Sequence, residues 1–263
     1  MRNIRNIVEL FDDNAELIAV LCQKLTNTEA IRKSKVLPFR FTTAYTTCTK
    51  DLADKNSMTK IIIALNQAID ASLVNLPEFS GKTLIVCDYS GSMGNNYDDP
   101  KGKGTLFASA LLRKNPSNAD FMCFGDNAKY VAVNPTDSTM TIYEKLMLVN
   151  TRTDYVGHGT NFHSIFESAS KKYDRIIIFS DMQGWIGYEC PAVEHNMYKK
   201  KYSCNPKVFS FDLQGYGSLQ FPEPEVFCLS GWSENTLTVM DLLDKGNKNA
   251  FLDEIELVNL RDK

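Results

Sequence analysis

The segment Lys82-Thr83-Leu84-Ile85-Val86-Cys87-Asp88-Tyr89-Ser90-Gly91-Ser92-Met93-Gly94 decides how the rest of the chain is read. Residues 83–87 form a short, continuously apolar run, the pattern of a strand buried on both faces of a parallel sheet. The run ends in Asp88, and hydroxyls follow at alternate positions, Ser90 and Ser92. Gly91 and Gly94 let the chain turn sharply beyond the strand end. Three hard oxygen donors at i, i+2 and i+4 thus stand at the carboxyl end of a core strand, the edge where open α/β sheets bind ligands. Hard oxygens with few charges suit Mg²⁺, which keeps several waters and takes one or two carboxylates. The bland alternative is a strand-to-helix turn with capping serines.

Two further segments complete a pattern. Gly157-His158-Gly159-Thr160-Asn161 precedes an amphipathic stretch, and Ile176-Ile177-Ile178-Phe179-Ser180-Asp181 is a second buried run ending in a carboxylate. With Asp-x-Ser-x-Ser, these resemble the metal-ion-dependent adhesion site (MIDAS) of von Willebrand factor A (vWA) domains. The resemblance implies Mg²⁺ or another divalent cation held by Asp88, Ser90, Ser92, Thr160 and Asp181. In that family a partner's oxygen fills the remaining metal position.

Working outward, residues 82–263 alternate strand and helix patterns, which predicts a doubly wound, mostly parallel α/β sheet. Strands are expected at 82–88, 120–125, 129–133, 175–180, 207–212 and 225–229, with the second and third forming an edge hairpin. The first strand and the 175–180 strand should be central neighbours at the topological switch point. Helices are expected at 105–113, 138–149 (capped by Ser138), 162–172, 191–200 and 233–243. Gly102-Lys103-Gly104-Thr105 lacks the spacing of a phosphate-binding loop and reads as a flexible loop.

Residues 1–79 read as all helical. Helical spacing covers 1–25 with a break at Asp12-Asp13-Asn14, then 41–53, then 57–73 with Ser57 as N-cap. Ile61, Ile62, Leu65, Ile69 and Leu73 form the buried stripe of the last helix, and residues 26–35 read as polar connection. The expected division is a helical part over 1–79 and an α/β domain over 80–263.

The net charge of −3 argues neither for nor against a polyanion partner, so clustering has to carry that case. Seven cysteines at 22, 48, 87, 123, 190, 204 and 228 include no CxxC pair. That points to a reducing, cytoplasmic setting without disulfides or zinc, with Cys87, Cys123 and Cys228 as buried small hydrophobes. No signal peptide and no membrane-spanning run are expected. Catalysis is not expected: His158 and His163 are the only bases near Thr160, and neither has a positioned role.

One resemblance spans the whole chain. Arg2-Asn3-Ile4-Arg5-Asn6-Ile7, residues 31–41, the helix at 57–73 with its Ala-Leu-Asn-x-Ala-Ile-Asp, and Cys228-Leu229-Ser230-Gly231-Trp232-Ser233 look like the last part of the TROVE module and the A domain of Ro autoantigen ribonucleoproteins. There, HEAT-like helical repeats run straight into an A domain, and the proteins bind structured or misfolded noncoding RNA. The resemblance implies a noncoding-RNA-binding ribonucleoprotein component whose helical repeats are reduced to about two pairs. Its phosphate contacts would be Arg2, Arg5, Arg32, Lys33, Lys35 and Arg40, with Phe39, Phe41 and Tyr45 offering stacking faces. The bland alternative is a solvated helix face with its aromatics in the core. A second class of function is a metal-dependent protein–protein interaction module without an RNA role. In it, the metal captures a carboxylate of another protein, or a partner supplies the missing repeats.

Overall fold

The computed structural model describes residues 3–149, 156–184, 191–216, 222–231 and 233–246. They form two compact units: residues 79–105, 118–132 and the described residues from 149 onward make one, and residues 3–78, 106–117 and 133–148 the other.

The α/β unit is built on a six-stranded sheet of β1 (Thr83–Asp88), β2 (Ala119–Phe124), β3 (Ala128–Val131), β4 (Arg175–Ser180), β5 (Lys207–Asp212) and β6 (Val226–Ser230), in the order β3-β2-β1-β4-β5-β6. Only the β2–β3 pair is antiparallel, so the hairpin stands at the edge as expected. Every residue of β1 and β4 is buried, which is why both read as unbroken apolar runs rather than alternating ones. They pair in parallel, with Cys87 opposite Phe179. Chain order reverses between them, so both carboxyl ends open into the switch-point crevice.

One sheet face presents Leu84, Val86, Ile176 and Ile178, and packs against α8 (His163–Ser168) and α9 (Ala192–Tyr202) through Phe162, Ile165, Phe166 and Tyr198. By alternation along the strands, Phe179 points to the opposite face. The first turns of α6 (Pro100–Lys114) pack there. A Cβ on Gly104 would sit 3.1 Å from both Phe179 Cβ and Leu213 Cδ1, a tight contact that glycine avoids as the helix approaches the sheet. Residues 102–105, expected as a flexible loop, are therefore helical. In α10 (Glu234–Asp244) the start is fixed by a capping box between Ser233 and Thr236. Lys207 Nζ donates to the carbonyls of Leu243 and Asp244 at its end.

The helical unit contains α1 (Ile4–Phe11), α2 (Ala15–Leu25), α3 (Thr28–Ser34), α4 (Pro38–Asp51), α5 (Met58–Ser72) and α7 (Thr139–Leu148). The polar 26–35 connection expected from sequence holds α3, which starts on an Asn27 side-chain cap and buries Ile31. Helix α5 packs on α2, α3, α4 and α7 through Ile61, Leu65 and Ile69. Ile62 is only partly buried at the edge of this stripe. Ser57 does not cap α5. Its backbone N–H and hydroxyl both donate to Asp12 Oδ1, at 2.8 and 2.6 Å, tying the α1–α2 turn to the start of α5. Asp70 plays a similar part for α7, accepting from the N–H and hydroxyl of Thr139, while Ser138 caps that helix through Thr141 N–H.

Candidate metal centre

Asp88 closes β1 and is fully buried. Its Oδ1 accepts from the Ser90 N–H at 2.8 Å, and its Oδ2 from the Ser180 hydroxyl at 2.6 Å. Ser90 is buried and Ser92 exposed, with their hydroxyl oxygens 3.3 Å apart. The Asp-x-Ser-x-Ser turn therefore lines up a carboxylate and two hydroxyls from the core of the sheet to its surface.

The Thr160 loop is held against this turn by a backbone hydrogen bond, Gly91 N–H to His158 O at 2.9 Å. Gly157 has φ +91, and a Cβ there would lie 1.9 Å from Asp126 Oδ2, so the turn demands glycine. Asp126 Oδ1 accepts from Gly159 N–H, and Asn161 N–H donates to Gly125 O. These bonds from the β2–β3 hairpin fix the loop, and Thr160 itself is buried. Sequence reasoning missed Asp126; its place in the Gly-Asp-Asn turn gave no sign that it reaches a loop more than thirty residues away.

Asp181 follows β4 and is also fully buried. Its Oδ1 accepts from Gln183 N–H at 3.1 Å, while its Oδ2 has no hydrogen-bond partner among the described residues. The next residue, Met182, has φ +61 with its side chain buried in the sheet core. A left-handed conformation costs a non-glycine residue about 1 kcal/mol or more, and burial of the thioether side chain offsets that cost.

Burial pushes the Asp88 carboxyl up to about 6, against a usual value near 3.8. The nearby Asp181 charge adds to the rise, and the bonds from Ser180 and Ser90 oppose it. Two buried carboxylates in electrostatic reach of one another, one with an orphaned oxygen, form an arrangement that a cation stabilises and that its absence leaves costly. The donors are all oxygens, and most are hydroxyls. Among the described residues there is no cluster of three or more His, Cys, Asp or Glu set to hold a metal. The all-oxygen donor set fits a hard divalent ion that keeps part of its water shell.

The structure thus brings together Asp88, Ser90 and Ser92 in one turn, the Thr160 loop against that turn, and Asp181 on the neighbouring strand. The basic residues lie in the other unit. Lys33 and Lys35 are exposed, with no ion pair to either among the described residues. Arg40 is also exposed. Arg5 is paired with Glu9 at 2.8 Å and Asp51 at 3.1 Å, and Arg32 with Glu29 at 2.9 Å. Arg2 lies outside the described residues. The aromatic stacking faces are not available: Phe39 is buried and stacks on Phe107 with centroids 3.8 Å apart, and Phe41 is in the helical core. Tyr45 packs at the edge of that core with its hydroxyl toward Glu144. Cys228, expected inside, is exposed on β6. Cys22, Cys48, Cys87, Cys123 and Cys204 are free thiols with Cys228, and Cys190 lies outside the described residues. Among the described residues no helix is long and apolar enough to cross a membrane.

No protein-family model and no curated protein matches the sequence. Among solved structures, the Ro (RSR) protein of Deinococcus radiodurans superposes with a TM-score of 0.72 over 93% of this chain, at 18% identity. The fold is Ro-like. The match covers 52% of the Deinococcus protein, so this chain spans about half the length of that relative. A weaker likeness, TM-score 0.41 at 17% identity, covers 73% of this chain and 52% of proximal thread matrix protein 1 from the mussel byssus, in a form whose MIDAS motif is occupied by zinc.

Proposed function

We propose that the α/β unit binds one divalent cation, Mg²⁺ by donor chemistry, through Asp88, Ser90, Ser92, Thr160 and Asp181. The observation that carries this is the orphaned Oδ2 of buried Asp181 in electrostatic reach of buried Asp88. The cation would neutralise the pair and offer one face to an oxygen ligand from outside. The role proposed for the site is binding rather than turnover; His158 is exposed and His163 opens α8.

For the whole chain we propose a noncoding-RNA-binding ribonucleoprotein component of the Ro type, acting in the cytoplasm. A Ro-like fold over nearly the full chain supports this reading, as do the exposed cations Lys33, Lys35 and Arg40 on the helical unit. Binding would be driven by phosphate contacts, since Phe39 and Phe41 are buried and do not offer their rings for base stacking. The test is a fluorescence-anisotropy titration of a structured noncoding RNA at several salt concentrations. Binding that weakens steeply with salt supports the reading, and salt-independent or absent binding refutes it.

The second reading is a metal-dependent protein-interaction module. It is favoured by the carboxylates that pair with Arg5 and Arg32, which reduce the charge open to phosphates. In that case Asp88→Ala abolishes capture of a carboxylate-bearing partner and leaves RNA affinity unchanged.

A further inference from the structure

We propose that Ser180, which lies outside the five-residue donor set, is a positioning residue for the metal centre: its hydroxyl couples Asp88 to the turn that presents Asp181. The inference rests on the metal reading above.

Ser180 is the last residue of β4 and is fully buried. It falls one step beyond the Cys87–Phe179 register pair, opposite Asp88 on the adjacent parallel strand. Its oxygen accepts from Met182 N–H at 2.9 Å. A hydroxyl has one proton to give, and the Asp88 Oδ2 at 2.6 Å receives it. That distance is in the range of charge-assisted O–H···O⁻ bonds.

The consequence is a closed chain of contacts. Asp181 sits between the two residues joined by the Ser180–Met182 bond. That bond spans the peptide that takes Met182 into the left-handed region. The same turn spends Asp181 Oδ1 on Gln183 N–H and leaves Oδ2 over. At its other end, Ser180 occupies one Asp88 oxygen while Ser90 N–H occupies the other. Rotation of the Asp88 carboxylate therefore breaks a bond to β4, and relaxation of the Met182 turn breaks the same hydroxyl's other bond. One side chain thus holds the Asp88 carboxylate directly and, through Met182 N–H, the turn that carries Asp181. Outer partners that orient metal-binding carboxylates set affinity, commonly by about 10–100-fold when removed.

The test is Mn²⁺ affinity by electron paramagnetic resonance of free Mn²⁺, with the melting temperature in EDTA as a second readout. We expect Ser180→Ala to bind Mn²⁺ about 10–100-fold more weakly than wild type, and Ser180→Thr, which keeps the hydroxyl, to restore the affinity. A merely structural serine would lower the melting temperature in EDTA without moving the Mn²⁺ affinity of the folded fraction, and that result overturns the inference. Should Ser180→Ala fail to fold, the isostere Ser180→Cys, a weak donor, takes its place. Affinity intermediate between wild type and loss supports the coupling, and wild-type affinity overturns it. Wild type in the same assay separates the two claims. Mn²⁺ binding by wild type with unchanged binding by the variants sinks the positioning role alone, whereas no binding by wild type sinks the metal reading itself.

Discussion

Replacing Asp88 by Asn should make the metal-free protein more stable, although it removes a proposed ligand. The folded-state carboxyl is raised to about 6 from an ordinary 3.8. A raised carboxyl binds its proton more tightly folded than unfolded, so its ionisation costs stability as pH climbs from about 4 through 6. Two pH units amount to about 3 kcal/mol, lost in full above pH 7 and only about 1 kcal/mol lost at pH 4.5. The amide keeps the geometry: its oxygen accepts from Ser90 N–H, and its NH₂ donates to the Ser180 oxygen. Urea unfolding in EDTA should then show Asp88→Asn gaining about 3 kcal/mol over wild type at pH 7.5 and about 1 kcal/mol at pH 4.5. Saturating Mg²⁺ or Mn²⁺ should stabilise wild type by RT ln(1 + [L]/Kd) and leave the variant unmoved. A variant less stable than wild type by the same amount at both pH values, with the cation response retained, would refute the reasoning.

Other outcomes follow from the same structure. Gly157→Ala forces a Cβ into Asp126 and into a φ of +91, so it should cost about 1–3 kcal/mol and weaken Mn²⁺ binding by displacing the Thr160 loop; unchanged binding by calorimetry would detach that loop from the site. Charge reversal at the exposed Lys33 and Lys35 should weaken RNA binding and flatten the slope of log K against log salt by roughly 1.5–2; an identical slope would remove this face from the RNA interface. Asp70→Ala leaves Thr139 N–H and its hydroxyl without their acceptor, and should destabilise the helical unit by about 1–2 kcal/mol, as read by urea unfolding.

The central strands were legible because a strand buried on both faces must be apolar throughout, and β1 and β4 show little else. Their terminal aspartates were legible for the opposite reason, as charges where burial forbids them without a partner. What escaped reading was decided by distant contacts. Helix α6 begins five residues before its apolar pattern, because Gly102 and Gly104 lower local propensity while Gly102 packs against the backbone of residues 96–97 and Gly104 against Phe179 of the sheet. Helix α3 was hidden by its polarity, since a seven-residue helix that buries only Ile31 leaves almost no periodic signal. The helix expected at 162–172 stops at Ser168, where Ala169 turns extended and Ser168 donates to Ala128 O. Ser57 had the sequence of a cap, but Asp12, forty-five residues away, engages it instead. Ser180 carried a faint signal, a hydroxyl at the end of the apolar run Ile176–Phe179. Its partner became visible only once β1 and β4 were neighbours in register.

Everything functional here turns on oxygen donors from three separated segments converging on one ion. Anomalous diffraction from a crystal soaked in Mn²⁺ tests that convergence directly. The account predicts a single strong peak among Asp88, Ser90, Ser92, Thr160 and Asp181, lost in Asp88→Ala. A fully soaked crystal with no peak there, and with the Asp181 Oδ2 hydrogen-bonded to protein instead, would contradict it.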